Sequence, residues 1–280
     1  MEPNTITQGD SVELFNQLEE KSIDLVITSP PYADTLSYGK KIKCFAPENY
    51  VEWFMGIAKG VDKSLKETGS FILNINDKII KKQRSTYVFE LVLAMCQETS
   101  LKFYDTYIWS KKSSLPCGGD SRMNDAFEYI FHFVKDCDNF KNFLDPIREP
   151  HSESSIQRAK YSIAYKKTIA DDGIVTRHKK DILLNPKGKK PGNVFQFNTA
   201  GASKSHGHPA AFHTEMPSFF IKWLTEANDI VLDPFMGSGT TAEACIINNR
   251  NFIGFEKNEE YIPMCNSRVS EAFAQLTLGI

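Results

Sequence analysis

The sequence predicts an α/β fold in which a mainly parallel sheet is covered on both faces by helices. Three observations lead there. Short apolar runs recur that are near-continuous rather than alternating. Helical patterns lie between them. Tight-turn chemistry follows directly on two of the runs. The runs are 23–27, 69–75, 104–109, 129–134, 230–232 and 251–255, each of strand length and closed by a turn signal. Among the helical patterns, 50–65 carries Val51, Phe54, Ile57, Ala58, Val61 and Leu65 on one face, the spacing of a helix with one buried stripe. Segments 88–96 and 216–224 read likewise, and 240–248 follows a glycine-rich turn. The stretch 139–193 is polar, basic and without clear periodicity, which predicts an insertion or small lobe with disordered parts.

At 280 residues, with 41% hydrophobic and 24% charged side chains, the chain fits one large domain or one domain with an insertion. This composition excludes a fibre, a disulfide miniprotein and a wholly disordered chain. No apolar run approaches the roughly 18 residues of a membrane span. The start, Met1-Glu2-Pro3-Asn4-Thr5, lacks the layout of a secretory signal. The six cysteines are scattered, with no CxxC pair, so neither a zinc site nor a disulfide framework is indicated. A cytoplasmic protein with reduced thiols, away from membranes, is the expectation. Net charge is −2, yet between Lys141 and Lys204 thirteen basic residues face six acidic ones, leaving −9 elsewhere. A basic segment in an acidic body suits a local polyanion contact, and equally a solvated insertion.

Three sites carry chemistry. Thr28-Ser29-Pro30-Pro31-Tyr32 follows the strand at 23–27. Two prolines end the strand and stiffen the loop, at the carboxyl end of a strand, where open α/β sheets bind ligands. Ser29, the loop carbonyls and the Tyr32 ring offer acceptors and a stacking surface for a planar group bearing an amine; a turn with Tyr32 merely packed is the bland alternative. Asp233-Pro234-Phe235-Met236-Gly237-Ser238-Gly239-Thr240-Thr241 follows the strand at 230–232. Gly237 and Gly239 let the backbone turn tightly, and Thr240 is expected to cap the helix. The segment lacks the lysine of a phosphate loop, so a cationic or zwitterionic ligand suits it. Glu256 ends the next strand, 23 residues after Asp233, where nucleoside-binding folds grip ribose hydroxyls.

Residues 28–32 resemble the catalytic motif of DNA amino-methyltransferases, and 231–241 their S-adenosylmethionine motif. Catalytic motif, basic region and cofactor motif run in the order of that family's β group. Gly9-Asp10-Ser11 and His208-Pro209-Ala210-Ala211-Phe212 are similar to further family segments, with His213 standing where relatives carry proline. The resemblance implies a Rossmann-like methyltransferase fold with a seven-stranded sheet and a circularly permuted motif order. It divides the chain into a catalytic half (1–138), a target-recognition insertion (139–193) and a cofactor half (194–280). It implies catalysis by Ser29, Pro30, Pro31 and Tyr32 on a base flipped out of double-stranded DNA. S-adenosyl-L-methionine would be held by Asp10, His208, Pro209, Phe212, Asp233, Pro234, Phe235, Gly237, Ser238, Gly239, Thr240 and Glu256. No metal is expected from the pair His206 and His208. Serine before Pro-Pro-Tyr points to cytosine N4, with adenine N6 the alternative. By analogy a homodimer and a cognate restriction endonuclease are expected partners. Rival readings are cytosine C5 methylation through Cys117, a catalytically silent nucleic-acid-binding module, and methylation of a protein glutamine or an RNA amine.

Overall fold

A computed structural model describes residues 1–33, 46–115, 121–161, 163–169, 175–181, 183–197 and 213–278. In chain order the elements are β1 (Thr5–Gln8), α1 (Ser11–Phe15), β2 (Ile23–Thr28), α2 (Pro47–Ser64), β3 (Leu65–Ile75), the short hairpin β4 (Ile79–Ile80) and β5 (Gln83–Arg84), α3 (Tyr87–Glu98), β6 (Lys102–Leu115) and β7 (Asp125–Val134). Then follow α4 (Glu153–Tyr161), β8 (Ile163–Ile169), β9 (Val175–Asp181), β10 (Val194–Phe195), α5 (Glu215–Leu224), β11 (Ile230–Asp233), α6 (Thr240–Ile247), β12 (Asn251–Glu256) and α7 (Ile262–Leu278).

The described residues group into two compact units, Met1–Phe143 with Asn193–Ile280, and Leu144–Gly192. The larger unit holds an eight-stranded sheet in the order β1-β12-β11-β2-β3-β7-β6-β10. Seven strands have four residues or more, and the two-residue β10 pairs with β6 at one edge. Pairings are parallel except for β7, which runs antiparallel to both β3 and β6. Every residue of β2 is buried, as expected of a central strand covered on both faces. In α2, Phe54, Ile57, Ala58 and Val61 are buried, each large side chain contributing roughly 1.5–3 kcal/mol. Pro47 opens that helix, where its missing N–H costs nothing. Gly60 lets the Phe15 ring lie against the helix, since a Cβ there would fall 2.3 Å from Phe15 Cγ.

The charge inside β2 is satisfied. Asp24 accepts from Lys66 Nζ at 2.7 Å, Lys141 Nζ at 2.9 Å and the Ile230 amide at 3.0 Å. Burial alone would raise its carboxyl; these donors outweigh it and hold the group below the usual range.

The smaller unit is more regular than its sequence predicts: helix α4 precedes the antiparallel hairpin β8–β9, which pairs over seven residues a side. The apolar residues of these strands, Ile163, Ala164, Ile169 and Val175, stand at the strand ends around a basic middle, so no apolar alternation marks them.

The site-forming feature is the pairing of β2 with β11. From β2 the chain crosses by α2 to β3 on one side, and from β11 by α6 to β12 on the other. The two crossovers diverge, which makes the carboxyl ends of β2 and β11 a topological switch point, where open α/β sheets bind ligands.

Candidate active site

Thr28 is the last residue of β2 and Asp233 the last of β11. Their side chains meet: Thr28 Oγ1 donates to Asp233 Oδ1 at 2.6 Å. Thr241 Oγ1 donates to Asp233 Oδ2 at 2.6 Å, and the Phe235 amide to Oδ1 at 3.0 Å. Asp233 is fully buried, and burial pushes its carboxyl up against the opposing pull of these three donors. Both oxygens therefore serve the chain's own groups, and Asp233 holds the glycine bend from behind.

The bend itself is built from several elements. The Met236 amide donates to the Phe255 carbonyl at 2.8 Å, and Ser11 Oγ donates to the Pro234 carbonyl at 2.5 Å. Gly237 and Gly239 take left-handed conformations, φ +55° and +84°. The helix cap differs from expectation. Gly239 occupies the cap position of α6 without a side-chain bond, and Thr240 is the first helical residue. The reason is Arg268, whose guanidinium bonds the Thr240 hydroxyl and, at 3.2 Å, Ser238 Oγ. Ser238 and Thr240 are consequently buried against α7. Phe235 packs on Trp53, ring centroids 5.7 Å apart.

Two carboxylates flank the bend at the tips of β12 and β1, which pair in parallel. Glu256 Oε2 accepts from the Gly237 amide at 2.8 Å, and Oε1 from the Asn258 amide at 2.7 Å. Burial raises this carboxyl above its ordinary value despite those bonds. Asp10 caps α1 through the Val12 amide at 3.0 Å and pairs with Lys257 at 2.9 Å. Burial would raise Asp10, but Lys257 and Val12 together bring it below the usual range. A carboxylate has about four lone-pair sites, so each can accept further hydrogen bonds. Acceptors beside an open glycine backbone fit a ribose and an ammonium or sulfonium group.

The elbow is rigid for local reasons. Pro30 is buried, and Tyr50 Oη donates to the Pro31 carbonyl at 2.9 Å. Ser29 and Tyr32 are half-buried, with Ser29 Oγ 3.1 Å from Tyr32 Oη. Tyr32 Oη donates to Glu128 Oε2 at 2.7 Å, and Asn74 Nδ2 reaches the same oxygen at 3.1 Å. Lys111 pairs with the other Glu128 oxygen.

Ser29, Pro30, Pro31 and Tyr32 thus lie at the same sheet end as Asp10, Asp233, Pro234, Phe235, Gly237, Gly239 and Glu256. His206, His208, Pro209 and Phe212 lie outside the described residues, as does Cys117. His213 uses what a proline lacks, its Nδ1 accepting from the Glu215 amide at 3.3 Å at the start of α5. Sequence reasoning missed Thr28 as a tie, and also Asn74, Lys111, Glu128 and Arg268. Glu128 had a visible signal: it is a lone carboxylate in the apolar stretch 127–134.

Residues 23–267 match a family model described as DNA methylase. The type II methyltransferase M.PvuII of Proteus hauseri is 31% identical over 281 residues, spanning 91% of this chain and 80% of that protein. The DNA adenine methyltransferase YhdJ of Escherichia coli (strain K12) is 26% identical over 278 residues, spanning 97% and 84%. The solved structure of the PvuII DNA methyltransferase (cytosine-N4-specific) superposes with a TM-score of 0.72 at 26% identity, covering 100% of this chain and 94% of that one.

Proposed function

We propose that this chain, which belongs to the DNA methylase family, transfers a methyl group to the exocyclic N4 amine of cytosine in double-stranded DNA, as the modification enzyme of a restriction–modification system. The methyl donor is S-adenosyl-L-methionine. The observation that carries this reading is the junction of elbow and glycine bend on adjacent strand ends, tied by Thr28 and Asp233.

Glu256 and Asp10 would hold the donor's hydroxyl and charged groups, with the Gly237–Gly239 backbone beneath it. Bound there, the sulfonium supplies an electrophilic methyl group for attack by the amine nitrogen. The Tyr32 ring stacks on the extruded base, whose removal from the duplex costs a few kcal/mol. Ser29 Oγ and the Pro30 carbonyl accept from the two amine N–H groups and orient the nitrogen lone pair. Positioning and fixed dipoles supply the acceleration, and no covalent enzyme intermediate is needed. The basic unit Leu144–Gly192 serves target recognition. A two-stranded ribbon such as β8–β9 is an element the major groove admits.

Serine in the elbow and the likeness to the N4-specific PvuII fold support cytosine. The likeness to YhdJ favours adenine N6 as the second reading. Mapping modified bases on DNA from cells expressing the chain decides between them. N4-methylcytosine at one recurring sequence is the expected result. N6-methyladenine alone rejects the choice of base, and unmodified DNA rejects the activity.

A further inference from the structure

Glu128 lies on β7, with β3 between it and the strand that carries the elbow, and its side chain is 9% exposed. A carboxylate there is costly unless partnered, and its partners converge on the elbow. Lys111 pairs with one oxygen, while Asn74 Nδ2 and Tyr32 Oη donate to the other.

A phenol has one proton. Tyr32 Oη stands 2.7 Å from Glu128 Oε2 and 3.5 Å from Asn74 Oδ1, so the proton goes to the glutamate. Ser29 Oγ, 3.1 Å from the same phenol oxygen, then has one bonding direction left: the serine donates and the phenol accepts. A serine hydroxyl is by nature both donor and acceptor. Here its proton is spent on Tyr32, and only lone pairs remain for a ligand. An amine presents N–H donors, so an acceptor-only oxygen is what it requires; a freely rotating hydroxyl would spend time turning its own proton toward them.

We propose that Glu128 is a positioning residue that, through the Tyr32 hydroxyl, locks Ser29 Oγ as a pure hydrogen-bond acceptor toward the substrate amine. This rests on the amine-methylating function proposed above. The lock gives a serine elbow the acceptor character that a carboxylate has outright.

The test compares kcat and KM for transfer of a labelled methyl group to unmodified genomic DNA by the full chain and its variants. Donor affinity by calorimetry and the thermal transition are followed in parallel. Tyr32→Phe keeps the aromatic face and removes only the hydroxyl. Tyr32→Phe and Glu128→Leu, which leaves no acceptor, are each expected to lower kcat about 10- to 100-fold, the worth of a hydrogen bond to a charged group, with KM and donor affinity little changed. Because the glutamate acts through the phenol, the double variant is expected to be no slower than Tyr32→Phe alone. Glu128→Gln, which keeps an acceptor at the same reach, recovers much of the rate. Effects that multiply in the double variant, or a wild-type kcat in Glu128→Leu, overturn the proposal. Where Glu128→Leu does not fold, Tyr32→Phe decides alone, and an unchanged kcat there overturns it. An inactive wild-type chain overturns the proposed function itself, whereas an active wild type with indifferent variants overturns only the lock.

Discussion

Thr28 and Asp233, 205 positions apart in the chain, share a 2.6 Å hydrogen bond between buried side chains. Thr28 immediately precedes Ser29, and Asp233 opens the glycine bend. One bond therefore sets the distance between the surface that grips a base and the backbone that would seat a methyl donor. It joins neighbouring parallel strands at their tips, where ladder hydrogen bonds end.

Thr28→Val removes this donor at nearly constant volume. Asp233 Oδ1 keeps the Phe235 amide but loses its hydroxyl partner. Stability is expected to fall by about 1–3 kcal/mol, the usual cost of weakening the partnership of a buried polar group. Donor affinity should fall with it. Denaturant midpoints and calorimetry measure the two effects, and wild-type values for both would show that the bond couples nothing.

Gly239→Ala places a side chain at φ +84°, which costs roughly 1–2 kcal/mol for a residue with a Cβ. The added methyl would also stand 3.2 Å from Cys265 Cα of α7. The expected outcome is a lower urea midpoint and weaker donor binding, because the bend must shift to relieve the contact.

His132 predicts an acid-sensitive fold. It is wholly buried, its Nδ1 3.2 Å from Tyr107 Oη and its Nε2 3.0 Å from Ser70 Oγ. Burial lowers its pKa from 6.5 to about 3. In that window the unfolded chain binds a proton that the native protein excludes. Stability attributable to His132 is therefore present above pH 6.5 and is lost as the pH falls toward 3, by about 1.4 kcal/mol per unit. His132→Asn should be less stable at pH 7 and should lose less on acidification. Melting curves between pH 4.5 and 7.5 measure this, and equal pH slopes in both proteins would discard it.

Binding of duplex DNA by the full chain should weaken steeply with salt, the logarithm of affinity falling by about 0.9 per phosphate contact for each decade of salt. Replacing Lys167 and Arg177, opposite each other in the β8–β9 hairpin, by alanine should reduce that slope. Fluorescence anisotropy at several ionic strengths reads it. An unaltered slope would move the DNA contact away from the hairpin.

Much of the fold was written in local patterns. The apolar runs at 23–27, 230–232 and 251–255 are β2, β11 and β12 almost to the residue, and the helical pattern at 50–65 overlaps α2, which begins three residues earlier at Pro47. The four-residue β1 and five-residue α1 are too short to show a period, so they escaped notice. The hairpin of the basic unit shows no alternation, because its apolar residues stand at the strand ends.

The two corners of the site are local in origin, because paired prolines and spaced glycines act through the torsions of the residues that carry them. That β2 lies beside β11, that Arg268 bonds the Thr240 hydroxyl, and that Glu128 reaches Tyr32 from another strand are outcomes of the folded arrangement. Those outcomes come from strand order and from burial of polar groups among distant neighbours, and no interval along the chain encodes them.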